Sequence, residues 1–421
     1  MNNININHIR RIEGHTGFLA SVINGDVKSA KMAMRGRGRL IEGVLIGRHY
    51  QDMPVIAERI CGICSVAHNI ASIKAVEDAM QIKVSEETGK LRKAMMCGHF
   101  INSHAMHLFF ITLSDLLDIE NDLKLAEEYS EETAMALKIR EYGMEIIKTI
   151  GGRAIHPIAN EVGGFKKVPS EEEIKNLIMQ GEELLPMALK LSEFLKKIKM
   201  PDFSRPTEYI CLEKKGEYLA CDGDVVSNKG LHVHADNLKN KFHEFQRPKE
   251  ILKRTEGDGK SSYMVGAIAR INNQSDKLSM CARKYLESLN FKLPDYNPFH
   301  NILYQMVEII HCIETSVKLM KELAHADMQN ALTKEFVFQE GSVNVAVESP
   351  RGTLYYWVDV DGQGFIKNVN IITPTAQFLT HMEDDVAAFV SGTAEKDKKQ
   401  MEKKMRAFIR AYDPCVNCAA H

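Results

Sequence analysis

Two Cys-x-x-Cys pairs stand at opposite ends of this chain, Cys61/Cys64 near the start and Cys415/Cys418 at the very end. If both serve one site, the fold must carry residues about 350 positions apart to a single point. Chain ends often lie close together, so such convergence is feasible. A spacing of three lets both sulfurs of a pair face one ion. A helix is expected to begin near Cys64, which puts the first pair where the helix dipole favours thiolate over thiol. His68 follows one turn later on the same face. Pro414 fixes the approach to the second pair.

The remaining cysteines, Cys97, Cys211, Cys221, Cys281 and Cys312, show no paired spacing and read as ordinary buried residues. Nine in all is an odd number, which argues against a disulfide framework in a chain of this size. Four thiolates suit structural zinc. They also suit a redox metal, and chance spacing is a third reading. The neighbours Glu58, Arg59, His68, Asp413 and His421 are ionisable groups in otherwise apolar sequence. Such groups fit a site that handles protons, and soft thiolates suit nickel and iron.

The chain has 421 residues, 44% of them hydrophobic, enough for a large buried core. Its net charge of −2 points to neither nucleic acid nor a membrane surface. No apolar run is long enough to span a bilayer, and residues 1–7 lack the form of a signal peptide, so a cytoplasmic location is expected.

One domain over 1–421 is expected, mainly α with peripheral β-hairpins (α+β). Its parts are a β-rich 1–60, a helical core over 61–200, short strands over 201–234, helices over 235–334, a β-meander over 335–372, and C-terminal helices with the second cysteine motif over 373–421. Strands are read over 4–35, with a turn at Asn24-Gly25. Residues 35–39, Arg-Gly-Arg-Gly-Arg, form a basic loop. Helical periodicity covers 65–80, 86–121 and 123–150, with Gly151-Gly152 as a stop, then 170–198, 236–249, 274–290, 298–325 and 376–412. Ser170 followed by three glutamates is a helix start.

The motifs resemble those of [NiFe] hydrogenase large subunits. Arg59-Ile60-Cys61-Gly62-Ile63-Cys64-x-x-x-His68 is similar to the first signature of that family, and Asp413-Pro414-Cys415-Val416-Asn417-Cys418-Ala419-Ala420-His421 to the second. Arg11-Ile12-Glu13-Gly14-His15 and Ser349-Pro350-Arg351-Gly352 resemble two further segments. The four motifs run in the family's order over nearly the whole chain.

The resemblance implies the family's fold, a helical bundle core with the metal site buried between N- and C-terminal motifs, and heterolytic cleavage of H2 to protons and electrons. It implies Cys61 and Cys415 as terminal ligands of nickel, and Cys64 and Cys418 as bridges from nickel to an iron carrying carbon monoxide and cyanide. Glu13 matches the glutamate that moves protons, and Arg351 the arginine over the diatomic ligands. Pro350, Pro374 and Thr375 belong to the same surroundings. Glu42, the carbonyl of Ile371 and His421 match a magnesium site. Ser103-His104 replaces the Asp-His of membrane-linked relatives, so one acidic group near the site is missing. His99, His104 and His107 read as packed histidines rather than ligands.

With its compact length, the chain looks like the cytoplasmic, multi-subunit, cofactor-linked type. It has neither an iron–sulfur cysteine cluster nor a G-x-G-x-x-G opening a βαβ unit. The resemblance therefore implies two partners, an iron–sulfur small subunit plus a flavoprotein or other electron-transfer module. The competing expectation is a non-catalytic relative, either a zinc-binding scaffold or a complex I-like core subunit.

Overall fold

The chain begins with an antiparallel sheet of β1 (Asn2–Ile6), β2 (Thr16–Ile23) and β3 (Asp26–Met34), in that spatial order. This computed structural model describes residues 2–421 except 24–25, 35–37, 39, 120 and 393–396. The Asn24-Gly25 turn and most of the basic 35–39 loop thus lie outside the described residues. Two short helices follow, α1 (Ile41–Leu45) and α2 (Asp52–Ala57). They sit inside the stretch expected to be β-rich. A helix of five or six residues is too short to show a helical period in sequence.

Cys64 is the N-cap of α3 (Ser65–Ala79), so the first pair does end at a helix start. Next comes α4 (Glu86–Ala105), whose first turn is capped by the Ser85 hydroxyl accepting from the Thr88 amide at 3.1 Å. The helix expected over 86–121 does not continue unbroken. Residues Met106–Thr112 widen into a π-helical stretch before α5 (Leu113–Leu116). There the Thr112 hydroxyl donates to the carbonyls of His107 and Leu108, at 3.1 and 2.9 Å. Such back-bonding competes with the regular ladder.

Beyond α6 (Asp122–Glu128), α7 (Ser130–Gly151) ends at Gly152, which takes φ 79°, as a glycine after a helix commonly does. The capping box of Ser170 and Glu173 opens α8 (Glu171–Lys196). Between α7 and α8 lies a minimal hairpin of β4 (Asn160–Glu161) and β5 (Gly164–Phe165). Helices α4, α7 and α8 pack with α11 (Asn301–Leu323) into the central bundle. Two glycines let α4 and α7 touch backbone to backbone. A Cβ on Gly98 would lie 2.7 Å from the Gly143 carbonyl, and one on Gly143 would lie 2.6 Å from that of Gly98.

A three-stranded sheet of β6 (Ile210–Glu213), β7 (Asp224–Ser227) and β8 (His232–His234) matches the short strands expected there. The helix expected over 236–249 is wrong. Only a 3-10 turn forms at Ala235–Asn240, and β9 (His243–Gln246) pairs with β10 (Lys253–Glu256). The polar, charged run reads locally as a surface helix. What decides it is distant: Arg254 on β10 is fully buried and donates to Glu383 at 2.8 Å. An unrecognised helix α9 (Ala267–Gln274) precedes α10 (Met280–Ser288).

The expected meander is present as β11 (Gly341–Ser349), β12 (Gly352–Val360) and β13 (Ile366–Ile372). Its inner half is buried under α3. Two helices complete the chain, α12 (Pro374–Gly392) and α13 (Lys398–Ala411). The class is mainly α with small sheets. Among the described residues, no helix is long and apolar enough to cross a membrane.

Candidate metal centre

The two ends of the chain meet through main-chain contacts. The Val416 amide donates to the Glu13 carbonyl at 2.9 Å, and residues 13 and 415 form a parallel bridge. Gly14 is required at this crossing. It takes φ 102°, and a Cβ there would sit 3.1 Å from the Asn417 amide. The segment between β1 and β2 that leads to this crossing is tied down by a charged side chain. Arg410 on α13 donates to both oxygens of Asp115, at 2.7 and 2.6 Å, and to the Arg10 carbonyl at 2.8 Å. Asp115 belongs to α5, which directly follows the π-helical stretch.

At that junction the four sulfurs of Cys61, Cys64, Cys415 and Cys418 lie within 4.8 Å of one another, all buried. Cys415 Sγ stands 3.4 Å from Cys61 and 2.9 Å from Cys418. Both pairs therefore face one point, from the α3 N-terminus on one side and the C-terminal turn on the other. Among the described residues this is the only group of three or more His, Cys, Asp or Glu side chains placed to hold an ion.

The electrostatics set one sulfur of the cluster apart as a thiolate and disfavour charge on two others. The Cys64 thiol is held well below its usual value by hydrogen bonds from Cys415, Cys418 and Cys61, with Arg351 adding its charge. Burial pushes Cys415 well up, and its neighbours push Cys418 up. Four like charges at this range cannot coexist in a dry site unless something positive lies between them. The donor set fits soft metal ions.

Arg351 reaches the same cluster from the β11–β12 turn. Its Nη1 lies 3.4 Å from Cys64 Sγ and 3.4 Å from the Ser103 hydroxyl. Its Nε and Nη2 donate to the carbonyl and carboxylate of Asp413, at 2.9 and 2.7 Å. Pro374 and Thr375 sit opposite, at the start of α12. Thr375 Oγ1 accepts from the Cys415 amide at 3.0 Å, which leaves its proton free to donate. A small cavity of about 10 Å³ lies between these groups, lined by Cys64, Ala67, His68, Leu354, Pro374 and Cys418 among others. Pro350 touches it only through its neighbours, for its carbonyl accepts from Arg270 at 3.0 Å.

Glu13 is half-buried, and its Oε1 accepts from Asn417 Nδ2 at 2.8 Å, one residue short of Cys418. The histidines of the site are packed, as expected for His99, His104 and His107, and His68 is packed with them. His68 Nδ1 meets Tyr356 at 2.7 Å, and burial pushes it down to about 3. His99 is likewise pushed to about 4 by burial. His104 pairs with Glu308 at 2.7 Å, and His107 with Gln305 at 2.6 Å.

A second polar corner closes the C-terminus. His421 is buried, with Nε2 3.0 Å from the Ile371 carbonyl and 3.7 Å from Glu42 Oε1. Glu42 also accepts from the Ile371 amide at 2.9 Å and from Lys253 at 2.8 Å. Burial alone would raise the Glu42 carboxyl, but His421 and Lys253 outweigh it and hold it at about 2.

The family model for nickel-dependent hydrogenases matches residues 39–141 and 300–421, together just over half of the chain. The alpha subunit of sulfhydrogenase 1 from Pyrococcus furiosus is 30% identical over 99% of this chain and 97% of its own length. The chain belongs to the nickel-dependent hydrogenase family. The vhc F420-non-reducing hydrogenase subunit of Methanococcus voltae is 29% identical over the whole of this chain and 95% of its own. The fold agrees with that of an NAD+-reducing [NiFe]-hydrogenase in its H2-reduced state, at a TM-score of 0.90 and 24% identity over the whole of both chains. A Ni-Fe-Se hydrogenase from D. vulgaris Hildenborough follows it with a TM-score of 0.78 at 22% identity, again over both whole chains.

This hydrogenase is an oxidoreductase of H2, and its four clustered cysteines stand at the nickel–iron position. Neither the zinc scaffold nor the complex I-like relative is favoured. The ligand, proton-transfer and magnesium residues that the resemblance implies fall at two adjoining places: the sulfur cluster with Arg351, Thr375 and Glu13, and the corner of Glu42, Ile371 and His421; Glu58 and the half-exposed Arg59 instead pair with each other at 3.8 Å. Sequence reasoning missed Asn417, which holds Glu13, and Lys253, which holds Glu42. It missed Arg270 as well. None of the three carries a local signal, since each partner lies on a distant element.

Proposed function

We propose that this chain is the catalytic subunit of a cytoplasmic, multi-subunit [NiFe] hydrogenase, in which Cys61, Cys64, Cys415 and Cys418 would hold the nickel and iron. The observation that carries this is the set of four buried sulfurs within 4.8 Å, with a buried guanidinium against one of them. The small, mainly apolar cavity beside Cys64 and Cys418 suits carbon monoxide and cyanide on the iron, with Arg351 and Thr375 as donors and Pro374 as a wall, while Pro350 stands behind Arg351. When bound, the pair of metals supplies an electron reservoir and polarises H2 for heterolytic cleavage.

The protein's own groups then do the rest. Thiolate sulfur is a base at the point where a proton is released. Arg351 keeps a positive charge fixed over the site, because Asp413 clamps two of its nitrogens. Among the described residues, Glu13 is the only carboxylate placed against the second cysteine pair through Asn417, and it takes the proton outward. The buried neutral His68 and His99 keep competing charge away.

Electrons leave to an iron–sulfur small subunit, then onward to a flavoprotein or similar module. The relatives are named as subunits, and the five other cysteines form no cluster among the described residues. At the second corner Glu42, the Ile371 carbonyl and His421 hold Mg2+, an ion that takes few protein ligands. Lys253 has another carboxylate within reach there, Glu244 at 3.5 Å.

Elemental analysis of the purified complex, coupled to H2/D2O exchange, tests the reading. Nickel and iron together with exchange are expected. Zinc alone, without exchange, would overturn it.

The buried corner leads to a separate expectation. Ala419, Ala420 and His421 are buried, so added residues after His421 have no room while the cluster is closed. A short extension that cannot be cleaved should keep the last turn out of place and lower H2 oxidation about a hundredfold. It should also hinder association with the small subunit. Normal co-purification and normal rates in the extended chain would remove His421 from the proposed magnesium site.

A further inference from the structure

Arg270, on α9, is fully buried and uses all five of its guanidinium protons. Nε and Nη2 donate to the two oxygens of Glu308 on α11, at 2.6 and 2.7 Å. Nη1 donates to Glu348 at 2.7 Å. The other two protons go to main-chain carbonyls, those of Ser349 at 2.9 Å and Pro350 at 3.0 Å. These are the two residues immediately before Arg351. The turn is backed from the same side by Gly266, where a Cβ would come within 3.0 Å of the Arg351 carbonyl.

The carboxylate that anchors Arg270 also reaches the opposite flank. Glu308 Oε2 meets His104 at 2.7 Å, and the preceding residue, Ser103, places its hydroxyl 3.4 Å from Arg351. Arg270 further lies over the Phe100 ring of α4, 5.1 Å from its centre. One guanidinium therefore ties together the main chain leading into Arg351 and the helix that presents Ser103 to it. Asp413 fixes the tip of Arg351, but nothing else among the described side-chain contacts grips both carbonyls at its base.

We propose that Arg270 is the positioning residue for Arg351. Held by Glu308 and Glu348, it sets where the Arg351 guanidinium stands relative to Cys64. The inference rests on the reading of Arg351 given above. A planar fork with five donors can meet two carboxylates and two carbonyls at once. A lysine ammonium, with three donors on one atom, cannot.

The test is Arg270→Lys in the assembled complex, alone and combined with Arg351→Lys. With nickel and iron content and circular dichroism unchanged, the infrared bands of the diatomic ligands should shift as they do in Arg351→Lys. H2 oxidation should fall roughly tenfold to a hundredfold. In the Arg351→Lys background, adding Arg270→Lys should change the rate by less than about twofold, because the group it positions is already altered. Unshifted bands, or an equal fractional loss in both backgrounds, would overturn the proposal.

If Arg351→Lys alone turns over like wild type, the reading of Arg351 fails, and the bands of Arg270→Lys still decide the positioning. Should Arg270→Lys not assemble, Glu308→Gln takes its place. That change is isosteric, and the new amide can still meet His104 in its other tautomer, while one Arg270 bond is lost. The same band shift is then expected, and its absence counts against the proposal.

Discussion

Cys415→Ala protein will purify with little nickel and will not oxidise H2, and the same outcome is expected for Cys61→Ala, Cys64→Ala and Cys418→Ala. The four sulfurs are not interchangeable spectators around a preformed pocket. They lie within 4.8 Å of one another in a buried site, so each removal opens one side of the ion's coordination and leaves a gap the neighbours cannot fill. The site is held from both chain ends, with Cys415 also tied to Thr375 through its amide. Truncating the thiol leaves that backbone bond intact, so the fold should survive while the metal is lost. Metal analysis and H2-dependent dye reduction check this. A variant with full nickel and normal H/D exchange would sink the ligand assignment.

Glu13→Gln should give the opposite combination, complete metals with little turnover. The amide keeps the size of the side chain, and its oxygen can still accept from Asn417, as Glu13 Oε1 now does at 2.8 Å. The main-chain bond from Val416 to the Glu13 carbonyl is untouched. What disappears is the ability to take up and release a proton. A positioned acid–base group contributes about 10²–10⁴-fold, and a loss of that size in steady-state H2 oxidation is expected. The infrared bands of the diatomic ligands should stay at wild-type positions, which separates a blocked proton exit from a damaged cluster. Turnover near that of wild type would take Glu13 off the proton path.

The two variants differ in what they read because the residues entered the site differently. Cysteine pairs at three-residue spacing announce themselves, since one turn of chain places both sulfurs on one side. The cap at Ser170 and the stop at Gly152 were legible for the same reason, as was the β11–β13 meander, with its alternating residues and turn at Asp361-Gly362. The helix expected over 236–249 fails because local periodicity does not show what the adjoining strand buries. In the fold His243–Gln246 pairs as a strand with Lys253–Glu256, whose Arg254 is buried against Glu383. The short α1 and α2 failed because five or six residues carry too little period to see.

Local chemistry alone thus determined the ligand type, the pairing of the thiols and the mainly helical class. Those properties depend on neighbours within one turn of chain, where the covalent spacing sets the geometry. Only the tertiary structure decided that residues 61 and 415 share a point, that Asp413 rather than an acid at position 103 holds Arg351, and that Arg270 grips the turn beneath it. A buried polar group has to find its partner wherever packing brings one, and in these contacts the partner lies 62 to 354 residues away along the chain.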